Sequence, residues 1–195
     1  MKETQNKRMS TKTLVLGSIM TALVIVVQLI STYTAFFGPF STALALIPIV
    51  IGAAMCGTGI GAWLGLVFSV VVLITGGANL FFAFDVPGTL ITVLIKGTAC
   101  GIAAGFVYNS LKKINTYLAV VCAAVACPVV NTGVFVLGCM AFFMDDAAKI
   151  AEAIGSTASG ISVFVALALA NFLFELGANV VLSPVIVRLL NVKKH

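Results

Sequence analysis

Residues 161–190 read ISVFVALALANFLFELGANVVLSPVIVRLL, an apolar run whose only charges are Glu175 near its middle and Arg188 near its end. An α-helix rises about 1.5 Å per residue, so about 20 residues cross the roughly 30 Å hydrocarbon core of a bilayer. The run therefore predicts a membrane-spanning helix. Because an ionised group in the hydrocarbon costs roughly 2.5–3.5 kcal/mol even on the mildest scale, Glu175 is expected to face a cavity or a partner rather than lipid.

Five further apolar blocks precede this run, and only 9% of the chain is charged. Hydrophobic residues make up 61% of the chain and the mean hydropathy is +1.19, whereas about half of a soluble protein is apolar. The blocks comprise residues 13–37, 40–56, 60–75, 89–109 and 117–143. We predict an all-α membrane protein with six transmembrane helices in one domain, residues 13–190, between a cytoplasmic segment, residues 1–12, and a cytoplasmic tail, residues 191–195.

The orientation of the spans follows from the basic residues in the connections. If the spans alternate, nine Lys and Arg residues fall on one side of the membrane and Lys149 alone falls on the other. Positively charged loops stay in the cytoplasm, so both termini are predicted to be cytoplasmic in a multi-pass protein of the cell membrane. The net charge of +5 follows from this bias and does not indicate nucleic-acid binding. The nine residues are Lys2, Lys7, Arg8, Lys12, Lys112, Lys113, Arg188, Lys193 and Lys194.

Polar side chains recur inside three of the predicted spans. Asn171, Glu175 and Asn179 are spaced by four residues in the sixth span and form one stripe, which drifts by about 40° per step. Lys96 lies inside the fourth span, which otherwise carries no charge. Asn131 lies in the fifth span shortly after a proline, which removes a backbone donor and helps to open a polar pocket.

These residues allow three interpretations. In the first, Lys96 and Glu175 form a buried ion pair, supported by the asparagines, that holds three helices together. In the second, the fourth, fifth and sixth spans line a polar pocket that opens to the outside of the cell. The third is a proton or ion pathway through the membrane. A charge inside a span is by default a candidate functional residue.

Enzymatic motifs are largely absent from the sequence. The single histidine is His195, so neither a histidine-based triad nor a two-histidine metal site can form within the chain. The glycine-rich turn at residues 57–61 lacks the lysine of a phosphate-binding loop. Asp145 and Asp146 are expected to begin a short helix that ends at Gly155. We expect neither catalysis nor a metal or cofactor.

Small residues at four-residue spacing predict close helix packing. They are Gly61 and Gly65 in the third span and Gly97, Gly101 and Gly105 in the fourth. The first span carries the small pair Ser18 and Ala22 at the same spacing.

Over essentially its whole length, the chain resembles a substrate-binding subunit (S component) of the energy-coupling factor (ECF) vitamin transporters. The matching features are the predicted six helices with both ends cytoplasmic, the run PVVNTG at residues 128–133, and the run NFLFELGANVVLSP at residues 171–184. Ser18 and Ala22 match an Ala-x-x-x-Ala-like pair on the first helix of the family, with a serine in place of one alanine.

The resemblance implies a prokaryotic importer subunit. Such subunits bind a vitamin in an outer pocket that is capped by the loops after helices 1, 3 and 5, here residues 37–39, 76–88 and 144–160. It adds Asn79 and Asp85, in the second of these loops, to the substrate-binding candidates. It also implies that Ser18 and Ala22 contact a transmembrane coupling subunit, which works with two ATPases.

The substrate is predicted from the charges. Riboflavin-binding members carry a Lys-Tyr-Asp-Phe-Ser-Asp-like stretch, whereas residues 40–48 read FSTALALIP and carry no charged residue. Lys96 is suited to a carboxylate, and the asparagines are suited to amides or hydroxyls, so a small acidic vitamin such as pantothenate fits. Thiamine bound by Glu175, riboflavin and folate are the alternative vitamins. A stand-alone secondary transporter with Glu175 as proton carrier and a membrane scaffold are the rival functions.

Overall fold

A computed structural model describes residues 10–34 and 44–192. Within these residues the chain is all-helical and contains no β-strand, as predicted. The helices of the described residues are α1 (Thr11–Thr34), α2 (Leu46–Cys56), α3 (Thr58–Ile74), α4 (Asn79–Phe82), α5 (Val86–Leu111), α6 (Thr116–Phe142), α7 (Ala147–Ala153) and α8 (Ile161–Val192).

Four of these helices, α1, α5, α6 and α8, are long and apolar enough to cross a membrane. Two shorter apolar helices, α2 with 11 residues and α3 with 17, lie between them in the chain. The predicted loop at residues 37–39, the start of the predicted second span, residues 1–9 and residues 193–195 lie outside the described residues.

Local sequence explains where the helices begin and end. α5 begins three residues before the predicted 89, because the Asp85 side chain accepts a hydrogen bond from the backbone N–H of Gly88 at 2.9 Å and Pro87 lies in the first turn. Asn115 caps α6 in the same way, with its Oδ1 2.8 Å from the backbone N of Tyr117. Gly57 separates α2 from α3 at φ 96°, a left-handed conformation that favours glycine.

The predicted glycine packing is confirmed between α3 and α5. A Cβ atom added to Gly61 would lie 2.5 Å from the carbonyl oxygen of Gly101, and one added to Gly105 would lie 2.6 Å from Cα of Thr58. Both distances are much shorter than a van der Waals contact, so the two backbones touch. This contact fixes α5, and with it Lys96, against α3.

The apolar residues form two clusters. The larger joins α1, α2, α3, α5, α6 and α8, whereas the smaller packs the connection between α6 and α8 through Phe143, Ile150 and Phe164. This connection contains α7, which follows Asp146 and ends before Gly155, as predicted. Asp146 accepts a hydrogen bond from Lys149 at 2.5 Å, which raises the pKa of the Lys149 ammonium above its ordinary value.

Candidate functional site

Residues of α1, α3, α4, α5, α6 and α8 line a cavity of about 300 Å³. This volume lies at the lower end of the roughly 300–1,000 Å³ of small-molecule pockets. The polar lining residues are Gln28, Thr32, Lys96, Asn131, Thr132, Asn171 and Glu175. The other lining residues are Phe68, Val72, Gly77, Phe81, Phe135, Leu167 and Ala168.

The Glu175 carboxylate is the hydrogen-bonding centre of the cavity. Its side chain is 1% exposed, and the spacing of four residues on α8 places Asn171 one turn away, where Nδ2 donates to Oε1 at 2.7 Å. From α6, Nδ2 of Asn131 lies 3.2 Å from Oε2 and 3.4 Å from Oε1. The carboxylate is thus held by amide donors from two helices, which offsets part of the cost of burying its charge.

Lys96 extends from α5 into the same cavity but does not form an ion pair with Glu175. Among the described residues, the ion pair that forms is the exposed one between Lys149 and Asp146. Instead, Nζ of Lys96 lies 5.2 Å from the centroid of the Phe135 ring, a cation–π distance. The interpretation of Lys96 and Glu175 as a direct structural pair is therefore not what the geometry shows.

Gln28 and Thr32 of α1 were not predicted as site residues. Gln28 is 1% exposed, and its Nε2 donates to Oγ1 of Thr32 at 3.3 Å. Thr32 Oγ1 lies 3.2 Å from Oγ1 of Thr75, which joins the ends of α1 and α3. An uncharged amide inside the apolar block of residues 13–37 was the available signal for Gln28.

Aromatic rings form part of the apolar wall of the cavity. Phe81 of α4 packs edge-on against Phe135 of α6, with ring centroids 5.4 Å apart, and against Phe143, at 5.2 Å. The segment of residues 76–88 therefore reaches the cavity through a phenylalanine. The sequence contains 14 phenylalanines, so nothing in the pattern singled this one out.

Three of the seven predicted substrate-binding residues do not line the cavity. Asn179 is fully buried in α8, where its Nδ2 donates to the backbone carbonyl of Glu175 at 2.7 Å. Asp85 caps α5, and Asn79 is exposed at the start of α4. The four that the fold brings together are Lys96, Asn131, Asn171 and Glu175.

A second concave surface, the α1–α3 groove, lies at the other ends of α1 and α3. Its volume is about 620 Å³. Ser18 lines it and Ala22 is exposed one turn further along α1. Trp63 is 52% exposed there and donates through Nε1 to Oγ1 of Thr21 at 3.2 Å. The groove residues are Leu14, Gly17, Ser18, Thr21, Cys56, Gly59, Ile60 and Trp63.

A family model described as "ECF transporter, substrate-specific component" matches residues 12–187. The chain belongs to this family, which confirms the resemblance seen in the sequence. It is therefore a membrane-embedded, substrate-specific subunit of a transporter and not an enzyme. The family implies a small-molecule substrate together with coupling and ATPase subunits. No curated protein and no solved structure matches the chain.

Proposed function

We propose that this chain captures a small acidic vitamin, pantothenate or a close analogue, at the outer face of a prokaryotic plasma membrane for ATP-driven import. The observation that carries the proposal is the cavity, where no carboxylate of the described residues forms an ion pair with the Lys96 ammonium and polar side chains lie beside aromatic rings. An ammonium in an enclosed site attracts an anionic group, and a hydrogen bond to a charged group contributes about 1.5–3 kcal/mol. The phenylalanines supply apolar contact for the rest of the molecule.

Six membrane spans with both termini in the cytoplasm are part of the proposal. The supporting feature is the excess of basic residues on one side, with α2 and α3 as the second and third spans. α3, with 17 residues, rises about 25 Å, and the tight α2–α3 turn at Gly57 leaves no room for a loop between them. In this orientation the cavity lies toward the outside and the α1–α3 groove toward the cytoplasm.

A cysteine at Thr157 is expected to react with a membrane-impermeant thiol reagent in intact cells, whereas a cysteine at Lys113 is expected to react only after the cells are opened. Thr157 follows α7 and Lys113 follows α5, and both side chains are exposed. Burial within the protein therefore does not limit the reaction at either position. The background lacks the five native cysteines. Equal labelling of the two positions in intact cells would contradict the orientation.

The α1–α3 groove is the proposed contact with the coupling subunit. Its small residues Gly17, Ser18 and Gly59 allow another helix to approach closely. Ser18 and Gln28 are ten residues apart on α1, roughly 15 Å along the helix axis. A partner can therefore bind the groove without contacting the ligand cavity.

Uptake of pantothenate by proteoliposomes tests this function. With the coupling subunit and both ATPases present, uptake is expected to require internal ATP and to stop when ATP is replaced by a non-hydrolysable analogue. The control is the same chain reconstituted alone, which is expected to bind pantothenate but not to accumulate it. Accumulation by the chain alone, driven by a proton gradient, would instead support the secondary transporter with Glu175 as proton carrier.

A further inference from the structure

The hydrogen-bonding capacity of Glu175 is directed to the protein. Asn171 donates to Oε1 and Asn131 donates to both carboxylate oxygens, so two side-chain amides occupy the carboxylate. A ligand that bound Glu175 directly would have to share the carboxylate with these two amides.

The same contacts determine which end of the Asn131 amide is available. Nδ2 points at the carboxylate, and the reversed orientation would place Oδ1 against a like partial charge. Oδ1 of Asn131 is buried and, among the described residues, has no hydrogen-bond donor. Gln28 repeats the arrangement, since its Nε2 donates to Thr32 while its buried Oε1 lacks a donor in the described part of the chain. Both residues line the cavity.

A buried acceptor without a donor costs free energy, so these two oxygens are sites for donors on a bound molecule. Lys96 completes the set: it lines the cavity, and neither a carboxylate nor another acceptor in the described residues is hydrogen-bonded to its ammonium. Within the described residues, the cavity therefore offers a cation and two amide oxygens that lack donors, whereas its carboxylate, Glu175, is already bound by amides.

We infer that Glu175 is a positioning residue, which orients the Asn131 amide so that its oxygen accepts from the ligand, and that the ligand is an anion carrying hydroxyl or amide N–H donors. The anionic group lies at Lys96, and the donors lie at Asn131 and Gln28. This inference rests on the proposed function, because it assigns roles within the same cavity. It removes Glu175 from the direct ligand contacts predicted from the sequence.

Titrations with three related probes test these roles in the purified full chain. The probes are pantothenate, its neutral alcohol pantothenol, and pantothenate with one hydroxyl methylated. Wild type is expected to bind pantothenate about tenfold more tightly than pantothenol, and Lys96→Met is expected to abolish this preference. Methylation of the contacted hydroxyl is expected to weaken binding to wild type by about fivefold to tenfold.

Glu175→Gln is the decisive variant. The glutamine keeps the shape of Glu175 but no longer fixes the Asn131 amide, so methylation of the hydroxyl is expected to change affinity by less than about twofold. The preference for pantothenate over pantothenol is expected to persist, because Lys96 is intact. A purely structural role for Glu175 would leave the methylation penalty unchanged, and this result would overturn the inference. The inference would also be overturned by a different pattern, in which the wild-type protein binds the cation thiamine, Glu175→Gln abolishes this binding, and Lys96→Met retains it.

A ligand-free measurement separates this inference from the proposed function. Asparagine side chains are labelled with ¹⁵N, and Asn131→Ala and Asn171→Ala assign the two amide signals. Glu175→Gln is expected to shift both signals, while the exposed control Lys112→Ala leaves them in place. If none of the probes binds wild type, the proposed acidic vitamin is rejected and the amide signals still decide the role of Glu175. If both amide signals are unchanged in folded Glu175→Gln, the positioning role of Glu175 is rejected. Glu175→Asp takes its place if the first variant does not fold.

Discussion

Lys96→Ala is expected to weaken pantothenate binding by at least about tenfold, or about 1.4 kcal/mol. The Lys96 ammonium lines the cavity and forms no direct ion pair with a carboxylate of the described residues, so its loss is expected to remove a charge-assisted hydrogen bond to the ligand carboxylate. Asn131→Ala is expected to have an effect of similar size, because it removes an acceptor and leaves the Glu175 carboxylate with fewer donors. Isothermal titration of the purified variants measures both effects.

Two control variants distinguish the loss of a contact in the cavity from the general effect of removing a lysine or an asparagine. Lys112→Ala removes an exposed ammonium that donates to Oδ1 of Asn109 at 2.6 Å, far from the cavity along α5. Asn109→Ala removes an amide that bonds to Thr58 across α3 and α5 at 3.2 Å. Both controls are expected to bind the ligand as wild type does. If both cavity variants bind normally while eluting as single species, the ligand site lies elsewhere.

Replacing Ser18 and Ala22 together by leucine is expected to prevent co-purification with the coupling subunit and to abolish ATP-driven uptake. Both residues are exposed on α1 and lie one turn apart, so the added side chains project from one face into or beside the α1–α3 groove. Close helix approach in a membrane depends on small residues, and bulky substituents hold the partner backbone away. Ligand affinity of the isolated chain is expected to stay within about twofold of wild type, because the cavity lies roughly 15 Å further along α1.

The matched control places the same substitutions on other exposed helix faces. Ser110 is exposed on α5 and its Oγ donates to the carbonyl four residues earlier, as Ser18 does on α1. Ala141 is exposed on α6. Ser110→Leu with Ala141→Leu is expected to leave both co-purification and uptake intact. Loss of ligand binding in the Ser18 and Ala22 variant, with co-purification intact, would reverse the assignment of the two surfaces.

The sequence predicted the residues whose burial is costly. Lys96 and Glu175 interrupt apolar blocks, and the price of a charge in hydrocarbon limits where such residues can lie. The fold brings both to one cavity together with Asn131 and Asn171. The glycine spacing likewise predicted the contact between α3 and α5, because close backbone approach excludes a Cβ.

Residues with weaker signals were missed or assigned a different role. Gln28 carries no charge, so its burial is less costly than that of a charged residue. Its position in the first span was therefore a weaker indication of a binding site. Asp85 precedes Pro87, a combination typical of a helix start, and it caps α5. Asn179 belongs to the same stripe as Asn171, but two steps of about 40° turn it away from that residue, and its amide bonds to the backbone of α8.

Native mass spectrometry of the purified chain after incubation with pantothenate tests the ligand site most directly. Wild type is expected to carry one pantothenate molecule, and Lys96→Ala at the same concentration is expected to lose it, while Lys112→Ala retains it. This result would identify the cavity between α1, α3, α5, α6 and α8 as the binding site and its cation as the anchor of the ligand. Equal retention by wild type and Lys96→Ala would contradict the account, as would a wild-type protein that carries no small molecule.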